Sequence, residues 1–213
     1  GNRVAKIVDG VRVNYVNDIN RQFTQVLMEA DEGWFVDKTY SYVGDRIHQG
    51  DSSGNWYFYL YGSPAKSVTA LTDVSVTPVN TYAHDAFGEI AEKNETIENA
   101  YTYNGERVDA ETGLVFLRRR YYDPTIGRFL TREPSPGLQN DPQSFNPYAY
   151  ARNNPVNFAD PTGEWLETAL DIGFIAWDIA ELKKDPSWIN KLALGIDIVG
   201  LALPFVTGGG KAL

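Results

Sequence analysis

The chain has 213 residues, a formal net charge of −9 from 19 Lys and Arg against 28 Asp and Glu, and no Cys. With 43% apolar and 22% charged residues, its composition is that of a globular protein. The absence of Cys excludes a disulfide framework, a Cys zinc site, an iron–sulfur cluster and a thiol nucleophile, and the acidic balance argues against a nucleic-acid partner held through its phosphates. The 13 Tyr are unusually numerous, and none follows Tyr150.

The sequence before residue 161 predicts short antiparallel strands separated by turns. The first two, 3–8 and 11–16, flank Asp9-Gly10, a dipeptide typical of a two-residue hairpin turn. β-Branched and aromatic residues predict further strands at 22–29, 35–43, 46–49, 56–60, 67–72, 79–84, 101–103, 114–122 and 128–131. Turn signals recur about every 8–12 residues, which is typical of an antiparallel all-β array.

Three segments, 40–47, 82–90 and 101–108, resemble one another. Each places Tyr-x-Tyr or Tyr-x-His on a predicted strand, followed by a turn rich in Gly, Asp or Asn, then a charged and an aliphatic residue. Repeats at this spacing predict a sheet that grows by adding hairpins, each covering the aromatic face of the last. Ordinary β-sandwich tyrosines are the plainer alternative, which three similar copies disfavour.

After Gly163 the apolar period becomes helical. Residues 165–182 fit an amphipathic helix, and Asp185-Pro186 is a helix start before a second helix over 187–203. We therefore expect a C-terminal α-helical hairpin. The longest uncharged run, 198–210, is shorter than the roughly 20 residues that a membrane-spanning helix needs, so we expect no membrane span.

The motifs between residues 109 and 163 carry the most specific signal. They are Asp109-Ala-Glu-Thr-Gly-Leu, Arg120-Tyr-Tyr-Asp-Pro, Gly127-Arg-Phe-Leu-Thr-Arg-Glu-Pro, Asn146-Pro-Tyr-Ala-Tyr, Asn153-Asn-Pro-Val-Asn and Asp160-Pro-Thr-Gly. In this order and spacing the series resembles the Rhs repeat-associated core domain. The three repeats resemble the YD repeats of the same family, and the resemblance covers residues 37–163, with 1–36 as more divergent repeats.

The resemblance implies a mainly β fold with three parts. These are an antiparallel YD-repeat β-shell segment over 1–108, an Rhs core plug over 109–163 and a helical pre-toxin segment over 164–213. It implies the C-terminal part of a polymorphic toxin, of the kind also found as the C component of insecticidal Tc toxins, that encapsulates a downstream toxin. The rival hypothesis is a non-cleaving cell-surface YD-repeat protein with a structural or adhesive role, as in teneurins.

The same resemblance sets expectations for partners and location. The partners are the rest of its own shell, the downstream toxin segment, and secretion machinery or an immunity protein, in a secreted or cell-surface bacterial setting without a cofactor. The chain lacks an initiator Met and a charged-then-apolar leader, so we expect a segment of a longer protein or a processed form. Open sheet edges would then favour self-association of the segment.

Many members of the resembled family are intramolecular aspartyl proteases that cut once, just beyond Asp-Pro-x-Gly. The resemblance assigns a catalytic carboxylate to Glu133, where the family has Asp, and a supporting guanidinium to Arg132. The added methylene matters, because a shift of about 1 Å can cost about 100-fold in rate. The expected cleavage region comprises Gly163, Glu164, Trp165 and Leu166, with Glu164 where the family usually has Leu.

An aspartyl protease needs two carboxyl groups that share one proton. Asp141, eight residues after Glu133, is one candidate for the second carboxylate, and Asp109 or Asp123 could approach across strands. Turn chemistry explains the Asp160 motif and the Asp123-Pro124 loop without catalysis. Arg128 is interpreted as a buried ion-pair partner.

Other side chains give no competing chemistry. The run Arg118-Arg119-Arg120, within the predicted strand 114–122, is expected to alternate between faces and to satisfy nearby carboxylates. The chain has two His and no Gly-x-Ser-x-Gly elbow for a Ser–His–Asp triad. The acidic residues include no loop with calcium-ligand spacing, so we expect no metal site.

Overall fold

The computed structural model describes residues 2–21, 23–62, 66–133, 142–160 and 162–163. The chain divides after Gly163 into two units, and all of these residues belong to the first. Asp141, the cleavage-region residues 164–166 and the expected helical hairpin therefore lie outside the described residues.

Nine strands form one antiparallel sheet in which each strand pairs with the next in chain order. The strands are β1 (Ala5–Val8), β2 (Val11–Asp18), β3 (Gln25–Ala30), β4 (Val36–Val43), β5 (Asp45–Asp51), β6 (Trp56–Tyr61), β7 (Val68–Thr72), β8 (Pro78–His84) and β9 (Ile90–Glu95). The predicted antiparallel array is thus confirmed. The first hairpin turns at Asp9-Gly10, with Val8 opposite Val11.

A second, four-stranded antiparallel sheet follows. Its strands are β10 (Arg107–Asp109), β11 (Leu114–Leu117), β12 (Arg120–Asp123) and β13 (Arg128–Phe129), and the described segments also contain 3₁₀ turns at Tyr103–Gly105, Pro142–Phe145 and Ala151–Asn153. The prediction of one strand over 114–122 is wrong. Leu117 pairs with Arg120 and Arg118 has a positive φ of 56°, so the arginine run turns the chain between β11 and β12.

One strand was not predicted and one predicted strand is absent, each for a local reason. β9 was not predicted because five of its six residues are exposed and most are polar, so that it shows no apolar alternation. Residues 101–103 are not a strand. The Asn99 side chain accepts a hydrogen bond from Tyr101 N at 3.0 Å and donates one to Tyr101 O at 2.8 Å, and it thereby satisfies backbone groups that a strand would offer to a neighbour.

One face of the nine-stranded sheet is built from tyrosines. Successive hairpins place buried rings on this face, from Tyr15, Tyr40, Tyr59 and Tyr82. The Arg46 guanidinium lies 3.2 Å from the centroid of the Tyr101 ring, within reach of a cation–π interaction. Eight of the 13 tyrosines are buried, so most of them are core residues of a repeated architecture.

Buried ion pairs connect the two sheets. Arg107 of β10 reaches Glu29 of β3, with Nη1 to Oε1 at 2.7 Å. Asp109, at the end of β10, accepts both terminal nitrogens of Arg3 at 2.7 Å and Lys6 Nζ at 3.1 Å. Since removing one partner of a buried pair leaves an uncompensated charge, these contacts tie the four-stranded sheet to the first strands of the larger one.

Three of the hairpin turns begin with an Asp whose side chain accepts backbone N–H groups within the turn. Oδ1 of Asp51, Asp73 and Asp85 each accepts the backbone N–H groups two and four residues later at 2.8–2.9 Å. The fourth position of the turn has a positive φ, which Gly occupies in two turns, whereas Val76 holds it with φ 64°. A β-branched residue is strained in that conformation.

We predict that Val76→Gly stabilises the protein. Relief of the left-handed strain, offset by the extra freedom of Gly in the unfolded chain, gives a gain of about 0.5–1 kcal/mol in unfolding free energy. Urea denaturation measures it. Val74→Gly is the matched control, because Val74 is equally exposed in the same turn and lacks a positive φ. A gain for Val74→Gly as large as that for Val76→Gly would contradict the argument.

Stability should fall at acid pH. Burial raises the pKa of Glu29, but the hydrogen bonds and charge of Arg107 outweigh it and hold this pKa below its ordinary value; Arg3 and Lys6 do the same for Asp109. Depressed carboxyl pKa values contribute stability above the ordinary pKa of about 4, and this contribution is lost as pH falls through the folded-state value. Urea denaturation across pH should therefore show a decline below about pH 4. In Glu29→Gln the decline should be shallower; an unchanged slope would argue against this pair.

Candidate functional site

A buried guanidinium with two carboxylates forms the candidate site. Arg120 Nη2 lies 2.6 Å from Glu133 Oε2 and 3.4 Å from Asp160 Oδ2. The three residues are 3%, 5% and 0% exposed. Both carboxylates therefore contact the same nitrogen of one buried guanidinium.

Strand alternation explains why Arg120 points inward. It shares the buried face of β12 with Tyr122, and its guanidinium lies 3.5 Å from the centroid of the Phe129 ring on β13. The Pro147 carbonyl accepts Arg120 Nη1 at 3.3 Å and the backbone N–H of Glu133 at 2.9 Å. One backbone oxygen therefore aligns the arginine and the segment that carries Glu133.

Asp160 uses its two oxygens for different tasks. Oδ1 accepts the backbone N–H groups of Thr162 at 3.2 Å and Gly163 at 2.8 Å, which closes the turn, whereas Oδ2 faces Arg120. Arg120 Nε donates to the Gly163 carbonyl oxygen at 2.5 Å. The arginine thus contacts two carboxylates and the carbonyl of the peptide bond that follows Gly163.

This arrangement has the parts that amide hydrolysis requires. Two adjacent carboxyl groups can hold a single proton between them, and a charged N–H donor at a carbonyl oxygen favours negative charge on that oxygen. Gly163 fits closely, since a Cβ there would lie 2.6 Å from the Leu117 carbonyl oxygen. The turn is therefore held directly against the β11–β12 hairpin.

The remaining predicted residues lie elsewhere or act differently. Arg132 is exposed, and the guanidinium that contacts Glu133 belongs to Arg120. Arg128 is also exposed, so its interpretation as a buried ion-pair partner is wrong. On the two-residue strand β13, Arg128 faces outward and Phe129 faces inward. Asp141, Glu164, Trp165 and Leu166 lie outside the described residues.

Neither strand candidate supplies the second carboxylate. Asp109 is engaged by Arg3 and Lys6, and Asp123 caps its own hairpin by accepting the Thr125 N–H at 2.9 Å, as its turn chemistry predicts. The carboxylate beside Glu133 is Asp160, for which sequence reasoning found only a turn. Arg120 and Tyr122 are two residues apart on a short strand, so their side chains lie on the same face of the sheet. This spacing was the sequence feature that could have indicated a buried arginine.

No three His, Asp or Glu side chains converge as metal ligands within the part of the chain that the structure describes. A search of the same residues finds no helix with the length and apolar character to cross a membrane.

Comparison with known proteins identifies the family. The sequence profile of the teneurin YD-shell family matches residues 39–156, more than half of the chain. The chain belongs to this family. The resemblance of its repeats and motifs to Rhs and YD-repeat proteins is thereby confirmed, and Arg120 and Glu133 lie within the matched range of this YD-shell chain.

Similar proteins include a bacterial nuclease and a bacterial toxin subunit. The chain is 38% identical over 183 residues to the tRNA3(Ser)-specific nuclease WapA of Bacillus spizizenii, a match to 84% of the chain and 8% of that protein. It is 32% identical to toxin subunit YenC1 of Yersinia entomophaga, over 64% of the chain and 13% of the subunit. The YD-shell chain thus spans only a small part of the length of these relatives.

The crystal structure of TcdB2-TccC3 has the same fold. It superposes with a TM-score of 0.52 at 22% identity, over 72% of this chain and 8% of that one. At this identity the likeness establishes the YD-shell fold alone.

We predict that Gly163→Ala destabilises the protein more than Gly113→Ala. Both glycines have φ 72°, but a Cβ at Gly113 meets nothing within 4 Å. Both substitutions cost about 1 kcal/mol of backbone strain, and the clash with Leu117 adds about 1–3 kcal/mol at Gly163. Urea denaturation of the two variants measures the difference, and equal losses would mean that the turn moves away from the hairpin freely.

Proposed function

We propose that the chain is part of an Rhs-type polymorphic toxin and helps to encapsulate a downstream toxin segment. Membership of the YD-shell family and the similarity to WapA and YenC1, whose names describe a nuclease and a toxin subunit, support this function. They do not favour the rival hypothesis of a non-cleaving adhesion protein. In the proposed setting the protein is secreted or cell-surface, with its own shell and the enclosed toxin as its main partners.

We further propose that the chain cleaves itself once, after Gly163, by an aspartyl-type mechanism. The observation that carries this proposal is the buried contact of Glu133 and Asp160 with Arg120, whose Nε donates to the Gly163 carbonyl. A protease would need this proximity of two carboxyl groups to a polarised peptide carbonyl.

The reaction begins with one proton shared between Glu133 and Asp160. The ionised carboxylate removes a proton from water as the water oxygen attacks the Gly163 carbonyl carbon, and the protonated carboxyl donates its proton to the carbonyl oxygen. Arg120 stabilises the negative charge that develops on this oxygen. The tetrahedral intermediate then collapses: the carboxyl group that took the water proton donates it to the Glu164 nitrogen, and the bond between this nitrogen and the Gly163 carbonyl carbon breaks. A hydroxyl of the intermediate returns its proton to the other carboxylate, so Gly163 keeps a new carboxyl group and the shared proton is restored.

Glu133 carries one methylene more than the Asp of the resembled motif. Its carboxylate nevertheless reaches Arg120 at 2.6 Å, so the ion pair forms with the longer side chain. The longer side chain would still slow proton transfer, because a shift of about 1 Å in the carboxyl can cost about 100-fold in rate. We therefore propose slow rather than abolished cleavage.

Intact-mass spectrometry of the full chain over several days at about pH 5–7 tests the mechanism. We expect two fragments that separate at the bond following Gly163. Asp160→Asn and Glu133→Gln should each abolish the cut, since either change leaves a single carboxyl group, and Glu133→Asp should accelerate it.

Asp123→Asn is the matched control, because Asp123 caps a hairpin and is engaged there by Thr125. It should cleave as fast as the unaltered chain. A single intact species that persists in both the unaltered chain and Glu133→Asp would overturn the protease proposal and leave the encapsulation proposal standing.

A further inference from the structure

Tyr150 is a fully buried residue beside the candidate site, and the proposed reaction assigns it no task. Its ring packs edge-to-face against Phe129, with ring centroids 5.7 Å apart and planes at 67°. The centroid of the same Phe129 ring lies 3.5 Å from the Arg120 guanidinium. Because an edge-to-face contact orients both rings, Tyr150 orients the ring on which Arg120 lies.

The hydroxyl of Tyr150 reaches the other half of the site. Its oxygen accepts a hydrogen bond from the backbone N–H of Asp160, the residue whose Oδ2 contacts Arg120. Burial raises the pKa of Tyr150 well above its ordinary value, so the hydroxyl keeps its proton at neutral pH. Tyr150 therefore contacts both the backbone that carries one carboxylate and the ring that supports the guanidinium.

A second donor ties this hydroxyl to the nine-stranded sheet. Asn104 Nδ2 donates to the Tyr150 oxygen, and the backbone N–H of Asn104 donates to Ser67 Oγ at 3.1 Å. Val68, the first residue of β7, donates its backbone N–H to the Thr102 carbonyl at 2.8 Å. The turn that carries Asn104 is thus attached to the large sheet, and it holds the Tyr150 hydroxyl in a fixed place.

The Tyr150 proton continues the connection. The Tyr103 hydroxyl is hydrogen-bonded to Tyr150 and donates its own proton to the Ala86 carbonyl at 3.1 Å. Since a hydroxyl has a single proton, the Tyr103 oxygen accepts from Tyr150. A continuous series of hydrogen bonds therefore leads from Asp160 to the turn between β8 and β9.

We propose that Tyr150 is a positioning residue of the candidate protease site. It holds Asp160 and the ring that supports Arg120 in one arrangement, and its bonds to Asn104 and Tyr103 make that arrangement depend on the folded nine-stranded sheet. This role rests on the proposed self-cleavage. Since a displacement of about 1 Å can cost about 100-fold in rate, cleavage is fast only after the large sheet and the 142–163 segment have docked.

Tyr150→Phe removes the hydroxyl and keeps the ring, so the rate of self-cleavage in this variant tests the role. We expect a rate about tenfold lower, because Asp160 loses a contact that fixes its backbone. Tyr122→Phe is the matched control. Tyr122 is equally buried and packs against Tyr150, but its hydroxyl donates to the Phe87 carbonyl at 2.6 Å. This control loses a buried hydrogen bond of the same kind and should cleave as fast as the unaltered chain.

The pH dependence of the rate separates positioning from a general loss of stability. In Tyr150→Phe the acid limb of the pH–rate profile should move to higher pH, because a carboxylate held less closely to the Arg120 charge binds its proton more tightly. In Tyr122→Phe the limb should stay in place. Equal rates or equal shifts in the two variants would overturn the role of Tyr150.

Hydrogen exchange of the Gly163 backbone N–H, which donates to Asp160 Oδ1, tests the same role without cleavage. It is measured by NMR in a Glu133→Gln background, where Tyr150→Phe should speed the exchange about tenfold and Tyr122→Phe should not. Equal exchange in the two would refute the role. If the unaltered chain does not cleave, the protease proposal fails and the exchange rates still decide the role of Tyr150.

Urea denaturation first establishes that both variants are folded. If Tyr150→Phe is not, Asn104→Gly replaces it in each measurement. Asn104 has a φ of 52°, so Gly keeps the turn while it removes the donor to Tyr150. We expect this change to slow cleavage and speed Gly163 exchange about threefold, and no change in either would contradict the proposal.

Discussion

The buried guanidinium of Arg120 is the interaction on which the region from β11 to Gly163 depends. Removing a guanidinium from water costs several kcal/mol unless carboxylates and carbonyls replace the lost hydration, because each of its N–H donors needs an acceptor. Here two carboxylates, two backbone carbonyls and the Phe129 ring provide that replacement. Three segments far apart in sequence must therefore come together before the charge of Arg120 is satisfied.

The same physical solution recurs across the molecule. Arg107 inserts between the Tyr15 ring and Glu29, and Arg3 lies over the Phe116 ring while it binds Asp109. Each guanidinium combines an aromatic face with an anion, which suits its flat, weakly hydrated shape better than an ammonium group would. One face of the large sheet carries rows of tyrosine rings, on which arginines from later segments form specific contacts. Apolar packing alone would fix the position of these segments less firmly.

The strands could be predicted where a local pattern coincides with burial. The Asp9-Gly10 hairpin and the tyrosine-bearing strands follow from turn chemistry and aromatic content, whereas β9 is ordered by its hydrogen bonds to β8 and leaves no apolar signal. Glu133 was found because its motif resembles a known one. Asp160 was assigned only to a turn because Oδ1 does close that turn, and the contact of Oδ2 with Arg120, 40 residues earlier, has no local signature.

This double use of Asp160 links the fold of the turn to the chemistry of the candidate site. If the 160–163 turn opened, Asp160 would lose its backbone donors and Arg120 would lose a carboxylate and the Gly163 carbonyl in the same step. The contacts that place Arg120 at the Gly163 carbonyl are therefore the same contacts that compensate the buried charges. Closure of the turn and compensation of the Arg120 charge depend on the same contacts, so we expect the two to be lost together.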